Sequence, residues 1–210
     1  TVDDQDTRRE TVEVIARDVF KKATLQHHFI ELYAGLCARL DSDLKQRGIE
    51  VNFRRALLEQ CQESFTTHLA PPQIDSCLDY EDQYEMLVKY KTKMLGNVKL
   101  IAHLLRLRML AAKIIFHCID ELISIGSAEA LETLCAFIET LGGTFDKPQW
   151  SGYARLQEIF KKVEILADDK KQSARTRCLL KDLLDKRRNA WQEKTTVASP
   201  KSDKDKEKLQ

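Results

Sequence analysis

Apolar residues recur at spacings of three and four along almost the whole chain, and the sequence lacks the strict alternation that is typical of a half-buried β-strand. Gly48, Pro71-Pro72, Gly126 and a two-glycine loop at 142–150 interrupt this pattern. Glycine favours the end of a helix and proline cannot continue one, so each interruption marks a connection. The pattern predicts eight helices, at about residues 8–23, 26–47, 51–69, 76–107, 111–125, 128–141, 151–167 and 173–191.

The helical spacing also predicts which residues face the core. In the first helix Val12, Ile15, Val19 and Phe20 lie on one face. In the second helix the apolar residues at helical spacing are Phe29, Leu32, Tyr33, Leu36 and Leu40, and in the last helix they are Leu179, Leu180, Leu183 and Leu184 beside Thr176. Asp75 or Ser76 is positioned to cap the start of the fourth helix.

The stretch from Lys89 to Lys113 has the broadest apolar face of the chain. This face covers more than half of the helix circumference, which is more than one neighbouring helix could bury. The same stretch carries seven basic residues and no carboxylate, and its polar side narrows to Lys99, His103 and Arg106. We therefore expect a helix that is covered by others on two or three sides and has one basic edge in water.

The predicted helices fall into antiparallel pairs that repeat every 40 to 45 residues, roughly the period of stacked helical hairpins. In such a stack each hairpin buries its open face on the next one. A single compact bundle is the alternative. The acidic residues 1–7 and the charged residues 192–210 hold few apolar side chains, so we expect disordered ends around a folded domain at 8–191.

Composition narrows the possible compartments and partners. The chain has 7 glycines, 4 prolines and a formal net charge of +1, so its total charge favours no nucleic-acid partner. The six cysteines lack CxxC spacing, and most lie in apolar helical patterns, as buried thiols in a reducing compartment do. The sequence shows no apolar run of membrane length and no signal peptide, so we expect a cytosolic or nuclear protein without a membrane partner, and cytoplasmic is the assignment that suits the family resemblance described below.

The residues also favour a noncatalytic protein. The glycines do not form a phosphate-binding loop, and the histidines are scattered. His117 and Asp120 are spaced as a weak pair of metal ligands, but a surface histidine explains that spacing better. We expect no metal, no cofactor and no catalytic residues.

Two surfaces remain as candidates for binding, although a solvated helix face is the structural alternative for each. The first could contact RNA phosphates through basic residues at Lys89, Lys93, Lys99, Arg106, Arg108 and Lys113. The second is the last helix, which has no neighbour beyond it in a stack and so forms either a cap or a docking surface.

Several segments carry a resemblance to a known family. They are VFKKATLQHHFIELYAGLCARL (19–40), VNFRRALLEQCQESF (51–65), KMLGNVKLIAHLLRLRML (93–110), EALETLCAFIETLG (129–142) and KKQSARTRCLLKDLLDKRRNAW (170–191). In their order and approximate spacing they resemble the middle domain of eukaryotic translation initiation factor 4G. The resemblance covers about residues 19–191.

The resemblance implies an all-α, crescent-shaped, HEAT-like α-solenoid that acts as a translation-initiation scaffold. It also implies that the domain activates the DEAD-box RNA helicase initiation factor 4A by bridging its two lobes, with accessory nonspecific binding of mRNA. The residues carried over to helicase binding lie on the last helix, at Arg175, Arg177, Cys178, Lys181, Asp182 and Asp185. The family usually has an aromatic residue at the position of Cys178 and a further helix before the first one predicted here.

The tyrosine-and-leucine peptide that binds the cap-binding subunit is absent, so we expect that subunit to bind only through segments outside this chain. We expect a monomer. The alternatives are a module that mainly binds RNA, or a scaffold of another mRNA complex with the same fold, in decay, deadenylation or splicing.

Overall fold

A computed structural model describes residues 2–49, 52–69, 72, 77 and 79–192, with side chains from residue 5 onward. The described residues form eight α-helices and no β-strand, which confirms the predicted all-α class. The helices are α1 (Val2–Leu25), α2 (Ile30–Gln46), α3 (Phe53–Thr67), α4 (Tyr80–Arg106), α5 (Lys113–Ile125), α6 (Ala128–Phe145), α7 (Tyr153–Asp168) and α8 (Ala174–Arg188). A one-turn 3₁₀ helix, His27–Phe29, precedes α2.

The helices form two layers. In the first layer α2, α4, α6 and α8 lie side by side, and each contacts the next. In the second layer α1 packs along α3, and α1 also contacts α4. The hairpin partners α3 and α4, α5 and α6, and α7 and α8 join the layers. This arrangement is a HEAT-like solenoid of stacked hairpins, as predicted, and not a compact bundle.

Helix α4 is central to the stack because it contacts helices of both layers. Its buried apolar residues include Met94, Val98 and Leu104, while Lys99 and His103 are half-buried and Arg106 is exposed. The expected helix with one basic edge is therefore confirmed. None of the helices among the described residues is both long enough and apolar enough to cross a lipid bilayer.

A close approach of α1 to α4 explains the glycine at position 96. A Cβ atom placed on Gly96 would lie 2.1 Å from the carbonyl oxygen of Thr24 at the end of α1. The ring of His27 fills the same corner, where Nε2 donates a bifurcated hydrogen bond to the carbonyl oxygens of Thr24 (2.9 Å) and Thr92 (2.8 Å). Because both acceptors are carbonyls, Nε2 must carry the hydrogen.

The next residue ties α4 to α3. Asn97 is 1% exposed, and its Nδ2 donates to the carbonyl oxygen of Cys61 at 3.0 Å. This bond satisfies the Nδ2 of the buried amide, whereas its Oδ1 has no hydrogen-bond partner among the described residues. The adjacent residues Gly96 and Asn97 thus hold α4 against both α1 and α3.

The start of α1 differs from the sequence-based expectation. The acidic segment at 1–7 was expected to be disordered, but the helix begins at Val2. The hydroxyl of Thr11 donates to the carbonyl oxygen of Thr7 at 2.8 Å, and Arg9 pairs with Glu13. Acidic residues near a helix N-terminus interact favourably with the helix dipole, so this composition also suits a first helical turn.

The end of α6 also differs from the expectation. The helix continues through both glycines of the expected loop and ends at Phe145. The indole of Trp191 packs directly on Gly142, where a Cβ atom would lie 2.3 Å from the ring. Trp191 Nε1 donates to Asp146 Oδ2 at 3.1 Å, and Ala190 takes a positive φ of 53° to turn the chain back. These glycines thus allow close packing and do not end the helix.

Two further expectations fall at the margins of the described residues. The cap of α4 is Asp79, whose Oδ1 accepts a hydrogen bond from the backbone N–H of Asp82 at 2.8 Å. Asp75 and Ser76, the predicted caps, lie outside the described residues. So does the expected charged tail from residue 193 onward.

Substitution of Gly96 by alanine should lower the free energy of unfolding by about 1–3 kcal/mol, because the backbone of α1 must move away from the new methyl group. Thermal or urea denaturation measures the loss. Gly35 is the matched control, since it lies within α2 and a Cβ there meets nothing within 4 Å. Gly35→Ala should stabilise the protein by about 0.5–1 kcal/mol. Equal effects of both substitutions would contradict the close approach.

Candidate docking surfaces

Helix α8 exposes one charged face at the C-terminal end of the first layer. Cys178, Asp182 and Asp185 are exposed and lie within about 60° of each other around the helix. Arg175 borders this face and forms an ion pair of 3.3 Å with Glu132 of α6. Four of the six residues carried over to helicase binding therefore share one continuous surface.

The other two residues lie on the flank of α8 that faces the α7–α8 connection. Arg177 is half-buried and donates through its guanidinium to the carbonyl oxygen of Gln172 at 2.5 Å. Lys181 pairs with Asp168 at the end of α7 at 3.3 Å. Both cations thus join α8 to the end of α7 and the connection that follows it. Arg177 points about 100° away from Cys178, whereas the exposed Lys181 lies about 60° from it, on the side opposite Arg175, and borders the Cys178 face.

Ion pairs cross the first layer beside this face. Lys91 of α4 pairs with Glu129 of α6 at 3.4 Å, and Lys186 of α8 pairs with Glu139 of α6. Each pair is solvent-exposed and contributes less than about 1 kcal/mol to stability. Their main effect is to leave a surface of alternating charge, which a partner can recognise by complementary charge.

The opposite end of the layer exposes an apolar stripe on the side of α2 away from the core. Phe29, Leu32 and Leu36 are 53%, 71% and 42% exposed. The prediction that these residues face the core is wrong, because Ile30 and Ala34 occupy the buried side. Since α2 is the first helix of its layer, it has a neighbour in that layer on one side only. In the sequence, this stripe could be recognised because α2 has apolar residues on two faces, and a helix at the end of a layer can bury only one of them.

The middle of α1 also exposes apolar residues. Val14 and Ile15 are 49% and 39% exposed, so Ile15 does not face the core as predicted. In α8 the predicted core positions are buried except Leu179, which is half-buried. Exposed apolar residues that cluster at one end of a solenoid mark a contact surface.

The six residues expected to contact RNA occupy three places. Lys89 and Lys99 point about 80° apart around α4, and Lys93 and Arg106 about 140° apart. Arg108 lies in the turn after α4, and Lys113 is the first residue of α5. The structure therefore does not bring the six basic residues onto one face. These six residues are Lys89, Lys93, Lys99, Arg106, Arg108 and Lys113.

One compact basic site remains at Lys99, His103 and Arg106. Burial and the neighbouring charges of Arg106 and Lys99 lower the pKa of His103 below 6.5, although Glu31 of α2 acts in the opposite direction. Tyr84 is 60% exposed on a similar side of α4, but it precedes Lys99 by 15 residues, about 22 Å along the helix axis, so it is not part of this site.

The four buried cysteines do not form a reactive site. Burial raises the pKa of Cys37, Cys118 and Cys135 to about 12, so these thiols are protonated at neutral pH. Burial also raises the pKa of Cys61. Within the part of the chain that the structure describes, no group of histidine, cysteine and carboxylate side chains is arranged to hold a metal ion.

Comparison with known proteins places the chain in a family. The model of the MIF4G domain matches residues 2–190. Eukaryotic translation initiation factor 4G of Arabidopsis thaliana is 32% identical over 209 residues, which cover 91% of this chain and 12% of that protein. Eukaryotic translation initiation factor 4 gamma 1 of Mus musculus is 27% identical over 203 residues, covering 88% and 13%. The chain therefore spans a small part of these relatives, and it belongs to the MIF4G domain family.

Proposed function

We propose that this MIF4G domain is a noncatalytic scaffold of translation initiation that binds the DEAD-box helicase initiation factor 4A and bridges its two lobes. The relatives are named as translation initiation factors, which supports the process. The helicase and the bridging mechanism rest on the resemblance together with the surfaces of the first layer. The domain acts in the cytoplasm as a monomer, and the cap-binding subunit binds through segments outside this chain.

The observation that carries the bridging proposal is that both ends of the first layer have a surface suited to a partner. The apolar stripe of α2 lies at one end, and the charged face of α8 lies at the other. Three helix-to-helix steps of 8–10 Å separate α2 from α8, which is about 25–30 Å. A rigid body with two different sites at this distance can hold two lobes in a fixed relation. Such positioning can accelerate the reaction of the helicase, and the scaffold need not supply any catalytic group.

Variants at the two ends test the bridging proposal. Leu32→Glu places a charge in the apolar stripe, and Asp182→Lys reverses a charge on the α8 face. Each should weaken binding of initiation factor 4A about tenfold or more, the size of an interface hot-spot effect. Because Asp182 is exposed, its replacement should not affect folding, which circular dichroism checks. Titration calorimetry with the full helicase and with each isolated lobe measures the affinities.

Lobe bridging requires that the two variants affect different lobes. Lys161→Glu is the matched control, because Lys161 is exposed on α7, outside both surfaces. It should leave both lobe affinities unchanged. If Leu32→Glu and Asp182→Lys weaken the same lobe, bridging between the two ends is wrong. If neither weakens any binding while the fold is intact, the helicase proposal itself is wrong at these surfaces.

Accessory nonspecific RNA binding is the second proposed activity. The cluster of Lys99, His103 and Arg106 favours it, because adjacent cations on one helix face attract the phosphates of an RNA backbone whatever its sequence. Sub-micromolar binding of a generic single-stranded RNA with a steep salt dependence, in the absence of helicase, would instead make RNA binding the primary function.

The titration of His103 gives a pH test of this cluster. Because the fold lowers the pKa of His103, its contribution to stability is complete above pH 6.5 and is lost as the pH falls through the lowered pKa. The same protonation adds a cation between Lys99 and Arg106. The wild type should therefore lose more thermal stability than His103→Gln on acidification, and its RNA affinity should rise more. Parallel pH profiles of the two proteins would contradict the role of His103.

A further inference from the structure

The second layer contains a groove between α3 and α5. Helix α1 packs closely along α3, whereas α3 and α5 are spread apart, and the rings of Phe65 and His117 meet across the gap with centroids 6.5 Å apart. The space between them has a volume of about 590 Å³, and Ile101 and Met109 form part of its floor. Helices α2, α4, α6 and α8 form the other layer, so this groove is separate from the proposed helicase-docking ends.

The groove has the length and lining of a peptide site. It is lined from Asn52, at the start of α3, to Phe65 near its end, which corresponds to about 20 Å of helix. The walls are largely apolar, with Leu58 and Phe65 on α3 and Ile114 on α5. A trough of this length accepts the apolar face of a helix of about four turns, which is a common mode of peptide recognition.

The charge of the groove selects among possible occupants. Its lining includes Arg54, Arg55, Lys113 and His117 and, among the described residues, no carboxylate. Arg54 is partly neutralised by Asp41, which it shares with Lys45, and Arg55 pairs with Glu59 at 2.9 Å. Lys113 adds a third cation to the lining, and the carboxylates near it, Asp41, Glu59 and Glu121, lie outside the lining itself.

We propose that this groove binds an acidic amphipathic helix of a partner protein. The apolar walls accept leucine or phenylalanine side chains, and the cationic rim attracts the carboxylates that flank them. The chain's own residues 193–210 are a poor occupant, since they are rich in lysine and contain few apolar residues. Single-stranded RNA fits less well, because the floor of the groove is made of buried aliphatic side chains and not of exposed aromatic rings.

A designed peptide serves as the probe. It is a fluorescein-labelled helix of about 14 residues, with leucines at i, i+4 and i+7 spacing and glutamates at the outward positions. A second peptide has lysine in place of every glutamate. Fluorescence anisotropy against the full chain should show that the acidic peptide binds and that the basic peptide does not, within the same concentration range.

Two groove variants test the location. Lys113→Glu reverses a charge on the rim of the groove. Because this position is in the first turn of α5, a negative charge there interacts favourably with the helix dipole, and the fold should survive. Gln62→Glu adds a negative charge with almost no change of volume at an exposed lining residue. Each should weaken binding of the acidic peptide about fivefold or more, since each places a new negative charge at short range from the peptide's carboxylates. Gln149→Glu is the isosteric control at an exposed position outside the groove, and it should have no effect.

Three results would overturn the proposal. The first is equal binding of the acidic and the basic peptide, and the second is binding of the acidic peptide that neither groove variant weakens. The third is that the wild type binds a poly(U) oligonucleotide but not the acidic peptide, and that both variants lose the binding to poly(U). The last result would assign the groove to RNA. Because Lys113 and Gln62 lie outside the two helicase-docking ends, failure of this test leaves the helicase experiment unaffected.

Discussion

The close contact between the end of α1 and the middle of α4 is the constraint on which the stack depends. Helix α4 touches helices of both layers, so its position fixes where the others can pack. The absence of a side chain at Gly96 lets the backbone of α1 approach within van der Waals contact. The carbonyl oxygen of Thr24 would lack an intrahelical partner at the end of α1, and His27 donates a hydrogen bond to it. One small residue and one ring nitrogen thus fix the first hairpins.

The two ends of the solenoid are finished differently. At the C-terminal end, Arg187 lies 3.7 Å above the ring of Phe160 and pairs with Asp146, which also accepts a hydrogen bond from Trp191. This network seals the core beneath α8, and the outer face of α8 is polar. At the N-terminal end, Leu32 and its neighbours leave apolar side chains in water. Solenoid ends normally carry polar caps. The apolar end is therefore the one whose free energy falls most when a partner covers it.

Local patterns in the sequence predict the helices well and their surroundings less well. The period of three and four locates each helix, because a helix must bury one stripe whatever its neighbours are. The same period cannot distinguish Phe29 from Ile30 as the buried residue, since both belong to apolar series and only the neighbour in space decides. The glycines at 142 and 143 predict a helix end, yet Trp191, about 50 residues later, makes close packing their role.

The predicted binding residues show the same limit. Spacing alone places Cys178, Asp182 and Asp185 on one face of α8, and the structure agrees. Arg177 and Lys181 are adjacent in sequence to this face, but a carbonyl and a carboxylate from the α7–α8 region engage them. Such partners come from the connection between helices, whose conformation no periodicity describes. The number of charged residues can therefore be counted from the sequence, whereas the orientation of each charged side chain can be known only from the fold.

The groove between α3 and α5 has its origin in the turn after α4. This turn closes the helix with the two hydrogen bonds of a Schellman motif, from Arg108 to Leu105 and from Met109 to Leu104. The position that usually holds glycine is Arg108, with a φ of 56°, a conformation that costs a non-glycine residue about 1 kcal/mol or more. Arg54 of α3 donates to the Arg108 carbonyl at 3.1 Å and helps to hold it. Met109 and Leu110 then pack into the core before α5 begins, and both line the groove. The gap thus follows from a backbone conformation and a buried turn, and it exists before any partner binds.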